Sequence, residues 1–354
     1  MKIGIITFQD AYNYGAVLQA YALRNKLGSK AEIINYQNDY FKNTNHYFIQ
    51  ESNILKRVIR RIKIHDLKIR TDKFCEFVDT LLLSNREPVC VEELENQYDA
   101  FVVGSDQVWN LECTGNDTTY YLDFVKTKKM YSYAASFGKT KLSDKEISLI
   151  KSKIVDYTYV SVREESAKDM LISNGLKDVV VVLDPTLLLT ATEWRKIFAP
   201  KKIKDRYIFV YNVTGDIGIL KYAKRIAKKR GLKVYYITAS IKPVFNVKMI
   251  MDAGPREWLN YIMQSEMVIT NSYHGCIFSM IFHKNFRIFF SNNNLKNSTR
   301  IEELLEKVGM KDIISYNSVQ ENRKVDIDYK EIDCILDKLR NQSNKFIELI
   351  KEDN

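Results

Sequence analysis

The chain has 354 residues, 45% of them hydrophobic, with 54 Lys and Arg against 44 Asp and Glu and a formal net charge of +10. That length exceeds one ordinary hydrophobic core and predicts two domains, while the apolar content argues against a long disordered chain. The positive balance points to anionic partners, either phosphates or an anionic membrane face. No RNA- or DNA-binding motif accompanies it, so nucleic acid is not an expected partner.

No apolar run approaches a membrane span, and the start MKIGIITF lacks a basic segment followed by a long apolar one. A cytoplasmic location is expected, extending to peripheral contact at the inner face of the membrane. Cys75, Cys90, Cys113, Cys276 and Cys334 are scattered and not spaced as zinc ligands, as for reduced thiols.

In chain order, KIGIITF is a continuous apolar run, as a buried parallel strand requires. The loop QDAYNYG follows, then a helix with Ala16, Ala20, Leu23 and Leu27 on one face and Gly28 placed to stop it. AEIINY reads as a second strand. Residues 53–83 read as a helix with Leu55, Ile59 and Ile62 on one stripe and Lys56, Arg57, Arg60, Arg61 and Lys63 around it. That stripe is either a solvated face or a dock for an anionic membrane or lipid phosphate.

Further strands are predicted at AFVVG, KMYSYAAS, YTYVSV and VVVVLD, each ending in a polar or glycine-containing turn. The pattern loosens over residues 185–206, which suit an interdomain connection. It resumes with YIFVYNV, a helix over 217–230 closed by Gly231, and the strand KVYYIT, together a βαβ unit. VITNSYHGCIFSMIF (268–282) supplies the next strand and helix, and FRIFF another strand. Residues 329–351 read as an amphipathic helix with Ile332, Ile335, Leu336 and Leu339 inward. The predicted architecture is α/β: two Rossmann-like domains facing a cleft, over residues 1–190 and 191–325, with a C-terminal helix over 326–354 packing back. Ligands in such sheets sit outside the carboxyl ends of the strands.

Several motifs fail on inspection. GKT at Gly138–Thr140 lacks the first glycine of a phosphate loop, whose place Tyr133 takes. There is no GxGxxG after the first strand and no GxSxG elbow. Asp326 and Asp328 resemble a metal-binding acidic pair but precede the last helix instead of ending a strand, so no metal or other cofactor is expected.

The strand ends are more informative. Thr270, Asn271 and Ser272 are all N-cap types, opening a helix near Tyr273 or His274. The first-turn amides and the helix dipole make that start suitable for an anion, with His274 beside it. Gly275 is expected to let a ligand or another backbone approach closely. Arg163 ends YVSV, where it either pairs on the surface or presents its planar fork to a carboxylate or phosphate. Asn13, Tyr14 and Gly15, and Ser105, Asp106, Gln107 and Trp109, end strands in the same way; their structural readings are a tight turn, a capping Asp106 and a core Trp109.

Taken in order, the segments NYGAVLQAYAL, VVGSDQVWN, YAASFG, VSVREESAKDML, VVLDPTLLL with Trp194, GPREWL and NSYHGCIFSMIF make the chain resemble the polysaccharide pyruvyl transferases. The resemblance implies a two-domain fold like the GT-B glycosyltransferases, with the active site between the domains. It also implies phosphoenolpyruvate as co-substrate and a sugar or lipid-linked oligosaccharide of a cell-surface polysaccharide as acceptor. Within it, Arg163 and His274 belong to the donor site, with Asn271, Ser272, Tyr273 and Gly275 beside them. Asn13, Tyr14, Gly15, Ser105, Gln107 and Trp109 are expected on the acceptor side. Many members carry a basic residue two positions before the histidine, where this chain has Ser272, and Arg256, Lys284, Arg287 or Arg300 are the candidates to compensate.

The chemistry independently needs clustered cations for the two anionic groups of phosphoenolpyruvate and a proton donor titrating near neutrality. His274 is the expected proton donor, and Asp106 is expected to orient or deprotonate the acceptor hydroxyl. Removal of Arg163 is expected to weaken donor binding more than it damages the fold. Two other readings stay open: a nucleotide-sugar glycosyltransferase, and a non-catalytic sugar- or phosphate-binding homologue.

Overall fold

The computed structural model describes residues 1–40, 54–84, 87–240, 242–290, 298–316 and 327–353. The first half runs β1 (Ile3–Ile6), α1 (Tyr14–Leu27), β2 (Ala31–Ile33), α2 (Ile54–Leu81), β3 (Ala100–Val103), β4 (Lys129–Ala135), α3 (Asp144–Ser152), β5 (Tyr159–Val162), α4 (Glu165–Ser173) and β6 (Val179–Val181). The second runs β7 (Tyr207–Tyr211), α5 (Ile217–Arg230), β8 (Lys233–Ile237), β9 (Lys248–Ile250), α6 (Pro255–Gln264), β10 (Met267–Thr270), α7 (Tyr273–Ile281), β11 (Phe286–Phe290), α8 (Ser298–Lys307), β12 (Ile314–Tyr316) and α9 (Tyr329–Glu352).

The chain divides into two compact units. Unit 1 comprises residues 1–46, 78–189 and 334–354, and unit 2 comprises 47–77 and 190–333. The sequence pattern places the division after residue 190 but shows neither exchange of chain. The body of α2 belongs to unit 2, although it leaves from and returns to unit 1. Most of α9 belongs to unit 1, although its first turn counts with unit 2.

Unit 1 holds a parallel sheet in the order β2-β1-β3-β4-β5-β6. Its strands read as unbroken apolar runs because both faces are covered: all of β1 and β3 is buried. The first helix is buried nearly all round, beyond the single face its periodicity predicts, and Gly28 at its end takes φ 97°. A register shift between Ser132 and Ala135 of β4 sets Ala135 opposite Val162, so Arg163 leaves the sheet one residue later. From α9, Phe346 packs near Tyr133 and Tyr159, and the Ser343 hydroxyl accepts the Leu183 amide at 2.9 Å. Ile332 and Leu336 of that helix are buried, while Ile335 and Leu339 are half-buried.

Unit 2 repeats the plan with a parallel sheet in the order β12-β11-β10-β7-β8-β9. One face is covered by α5, whose Ile219, Ala223 and Ile226 meet Ile208, Val210 and Ile269. Trp258 of α6 and Phe278 of α7 stack edge-on at 5.4 Å, and Trp194 meets Phe278 at 4.9 Å. Helix α5 spans the predicted residues and stops at Gly231, φ 62°, a left-handed position that suits glycine. The short strands β9 and β12 carry too few residues to show a period, and the sequence pattern does not reveal them.

Candidate functional site

In each sheet the strand order reverses beside the first strand of the unit. In open α/β sheets, ligands settle at that switch point, outside the carboxyl ends of the strands. In unit 2 these are the ends of β7 and β10. Thr270 donates its hydroxyl to the Tyr211 carbonyl at 2.7 Å and accepts the Ser272 amide at 3.0 Å. The Asn271 side-chain amide donates to Asn212 Oδ1 (2.9 Å) and Thr214 Oγ1 (2.6 Å), and its oxygen accepts the Val213 amide (2.9 Å). Two loops, 59 residues apart in sequence for Asn271 and Asn212, are thus stapled by neutral groups. Asn212, Val213 and Thr214 are absent from the sequence-based candidates. Their signal was YNVTGD, a strand end of the same polar kind as TNSYHG.

Helix α7 opens at Tyr273 as predicted, with Ser272 as its N-cap accepting the Gly275 amide at 3.3 Å. Of the three N-cap types in a row, only Ser272 caps; Thr270 and Asn271 hold the preceding turn. His274 lies in the first turn, 6% exposed, its ring edge-on to Tyr273 at 5.4 Å. Helix polarity gives this end a partial positive charge. Gly275 makes a close approach within the protein: a Cβ there would stand 2.5 Å from Thr270 Oγ1, so the glycine makes room for the strand end beneath it.

The four compensating cations separate clearly. Arg300 of α8 holds its guanidinium 5.7 Å from the centre of the Tyr273 ring. Lys284 precedes β11, at the amino end of the sheet, and donates to the Met263 carbonyl at 2.9 Å; burial lowers its pKa. Arg287, whose pKa burial also lowers, donates to the Phe286 carbonyl at 2.7 Å. Arg256 is anchored to Glu76 at 2.6 Å and to the Ile197 carbonyl at 3.1 Å. The contact with Tyr273 brings Arg300 to the side chain that meets His274.

In unit 1 the switch point lies between β1 and β3. Asn13 caps α1 there, accepting the Gly15 amide at 2.9 Å. Asp106 adopts φ 78°, in the left-handed region that few non-glycine residues enter. Its carboxylate accepts the Gln107 amide at 2.9 Å, and its carbonyl accepts the Ser136 amide at 3.0 Å. Gln107 in turn accepts from the Asn110 side chain at 3.3 Å. Tyr14 and Trp109, expected on the acceptor side, are core residues at 0% exposure, so neither offers a face to an acceptor.

Arg163 also differs from expectation. It ends β5 as predicted, but its side chain is buried between two carboxylates: Nε donates to Glu164 at 2.8 Å and an Nη to Asp184 at 2.9 Å. Asp184 additionally accepts from Ser105 Oγ (3.2 Å), Thr186 N (3.0 Å) and Thr186 Oγ1 (2.6 Å). Two carboxylates thus hold the guanidinium inward, and it is no lone cation facing outward.

Asp328, one of the doubtful acidic pair, accepts the Lys330 and Glu331 amides and so caps α9; Asp326 lies outside the described residues. Among the described residues no group of three or more His, Cys, Asp or Glu is placed to hold a metal ion. Likewise, no described helix is long and apolar enough to cross a membrane. The side chains of the predicted basic stripe, from Leu55 to Lys63, lie outside the described residues.

Fold and strand-end chemistry together define an α/β protein of two doubly wound, parallel-sheet units, each with a polar switch point. The UDP-GlcNAc 2-epimerase of Methanocaldococcus jannaschii is similar, at 13% identity over 99% of each chain and a TM-score of 0.50. A putative UDP-N-acetylglucosamine 2-epimerase of Listeria monocytogenes is 11% identical over 97% of this chain and 89% of its own, with a TM-score of 0.51. A further UDP-N-acetylglucosamine 2-epimerase reaches a TM-score of 0.53 at 9% identity, over 98% of this chain and 93% of its own. At such identities the likeness shows the GT-B type of fold alone. No curated protein matches the chain. The family model for polysaccharide pyruvyl transferase matches residues 13–294, and the chain belongs to that family of transferases.

Proposed function

We propose that the chain transfers the carbon frame of phosphoenolpyruvate to two hydroxyls of one sugar in a cell-surface polysaccharide or its lipid-linked precursor. A proton is added to the methylene carbon and a sugar hydroxyl attacks the central carbon. The second hydroxyl then displaces phosphate, so two O–H bonds and the enol double bond are exchanged for a ketal, a methyl group and inorganic phosphate. The observation carrying this reading is His274 in the first turn of α7, at the switch point of unit 2. An imidazole can hand a proton to the methylene carbon, and the helix start favours the donor's anionic groups. Arg300 supplies the fixed charge that Ser272 does not. Asp106 orients the acceptor hydroxyl. Arg163, already committed to Asp184 and Glu164, supports the strand ends around that side. This reaction needs no metal.

A second reading, nucleotide-sugar binding, is favoured by the neutral mesh of Asn271, Asn212 and Thr214 and by fold neighbours that are UDP-GlcNAc 2-epimerases. One thermal-shift screen separates the two. At a hundred times its dissociation constant a ligand adds about 2.7 kcal/mol of stability. A rise in melting temperature with phosphoenolpyruvate and none with UDP-sugars supports the transferase reading. The reverse pattern overturns it.

A further inference from the structure

From residue 217 to residue 250 the chain carries nine Lys and Arg and not one Asp or Glu. Helix α5 turns Ile219, Ala223, Ile226 and Ala227 into the core, which leaves Lys221, Lys224, Arg225, Lys228 and Lys229 along its outer side at helical spacing. Beside this stripe, Lys224 and Lys228 line an open groove of about 540 Å³ together with Lys233 and Lys248, the first residues of β8 and β9. Lys233 is steadied by Asp205 at 2.8 Å, and Lys248 by the Tyr235 hydroxyl at 3.2 Å.

The approach to β9 adds an apolar tip. Val244 and Val247 pack against the core beneath α5, and Phe245 between them stands 81% exposed, flanked by the exposed Lys242 and Asn246. With the valines partly buried and the phenylalanine exposed, a large apolar side chain stands in water among the described residues. Surface lysines around one protruding aromatic ring suit a bilayer interface, where the ring enters the acyl boundary and the ammonium groups meet lipid phosphates. A single-stranded nucleic acid instead calls for several rings along a groove, on which successive bases stack.

We infer that the outer side of α5 and the Phe245 tip form a docking surface for an anionic lipid bilayer. The surface lies at the amino ends of β8 and β9, away from the strand ends that carry His274. It therefore stands or falls independently of the reaction proposed above. It is also distinct from the basic stripe of α2.

The test is co-sedimentation of the full chain with phosphatidylcholine vesicles, with and without phosphatidylglycerol, across a salt series. Binding is expected only with the anionic lipid and should weaken as salt rises. Lys224→Ala with Lys228→Ala should lower partitioning roughly 25-fold, about fivefold per lysine, and flatten the salt dependence. Phe245→Ser should lower it about tenfold with the salt dependence retained. Phe245→Trp gives a second readout: its emission should shift to the blue on vesicles, whereas Trp109, Trp194 and Trp258 are fully buried and contribute an emission that stays put. Three results would overturn the assignment: no vesicle binding, equal binding to neutral vesicles, or partitioning that these substitutions leave unchanged. So would substitutions that weaken an oligonucleotide and spare the vesicles.

Discussion

At the carboxyl ends of its strands, unit 1 buries a guanidinium against two carboxylates, while unit 2 joins β7 to β10 through Asn271, Asn212, Thr214 and Thr270 with no formal charge among them. The side chains of Arg163, Glu164 and Asp184 are 1%, 5% and 0% exposed. Ions so buried are tolerated only while their partners are in place, which ties the cluster to the integrity of the fold. A mesh of amides and hydroxyls makes no such demand. It fixes two loops in space beside the helix turn that carries His274. Under the proposed reaction, unit 2 carries the donor chemistry as the working side, while in unit 1 the Arg163 cluster is framework and Asp106 serves the acceptor.

The largest expected effect probes the working side. His274→Asn keeps a polar side chain of similar reach but does not titrate, so turnover should fall about 10²–10⁴-fold while the melting temperature stays put. Steady-state kinetics and a melt on one preparation decide it: lost stability with turnover per folded molecule intact makes His274 a structural cap.

The next effect probes the framework side. Arg163→Ala removes the guanidinium that two buried carboxylates share and should cost about 3–5 kcal/mol in a denaturant titration. Unchanged stability with weakened donor affinity would collapse the contrast between the units and return Arg163 to the donor site.

Two smaller effects sharpen the description of unit 2. Gly275→Ala pushes a methyl group against Thr270 Oγ1 and should destabilise by about 1–3 kcal/mol. Combined with Thr270→Ala, which removes the obstructing oxygen, the cost should be less than additive in a double-mutant cycle. Additive costs would mean that the glycine is needed for something other than this contact. Ser272→Ala, which removes only the cap on the Gly275 amide, should cost about 1 kcal/mol by the same titration. A neutral result would show that the Thr270 and Asn271 contacts hold the turn without it.

Local signals made much of this legible. The apolar runs located ten of the strands, and Gly28, Gly231 and the polar run before Tyr273 marked helix ends within a residue or two, because caps act on the adjacent turn. The same logic puts His274 in the first turn of a helix, where it lies. What stayed hidden was long-range. Arg163 meets a carboxylate 21 residues away, and Asp184 a hydroxyl 79 residues away, which no periodicity encodes. Asp184-Pro185 read as the start of a connection, although an aspartate before a proline at a helix start is also a cap, and Asp184 does accept the Thr186 amide. Tyr14 and Trp109 sit beside polar residues in sequence, and only the folded packing shows that they point into the core.

Cys276 follows His274 by two residues and is wholly enclosed, and burial drives its thiol well above the usual range. Only a thiolate attacks an alkylating reagent, so this side chain should resist modification for as long as α7 lies on its sheet. Cys75, Cys90 and Cys334 are exposed and should react at once, with half-buried Cys113 after them and Cys276 last. The slow remainder of a labelling time course then becomes a clock for the lifting of the helix that carries His274, and it runs without any substrate in the tube.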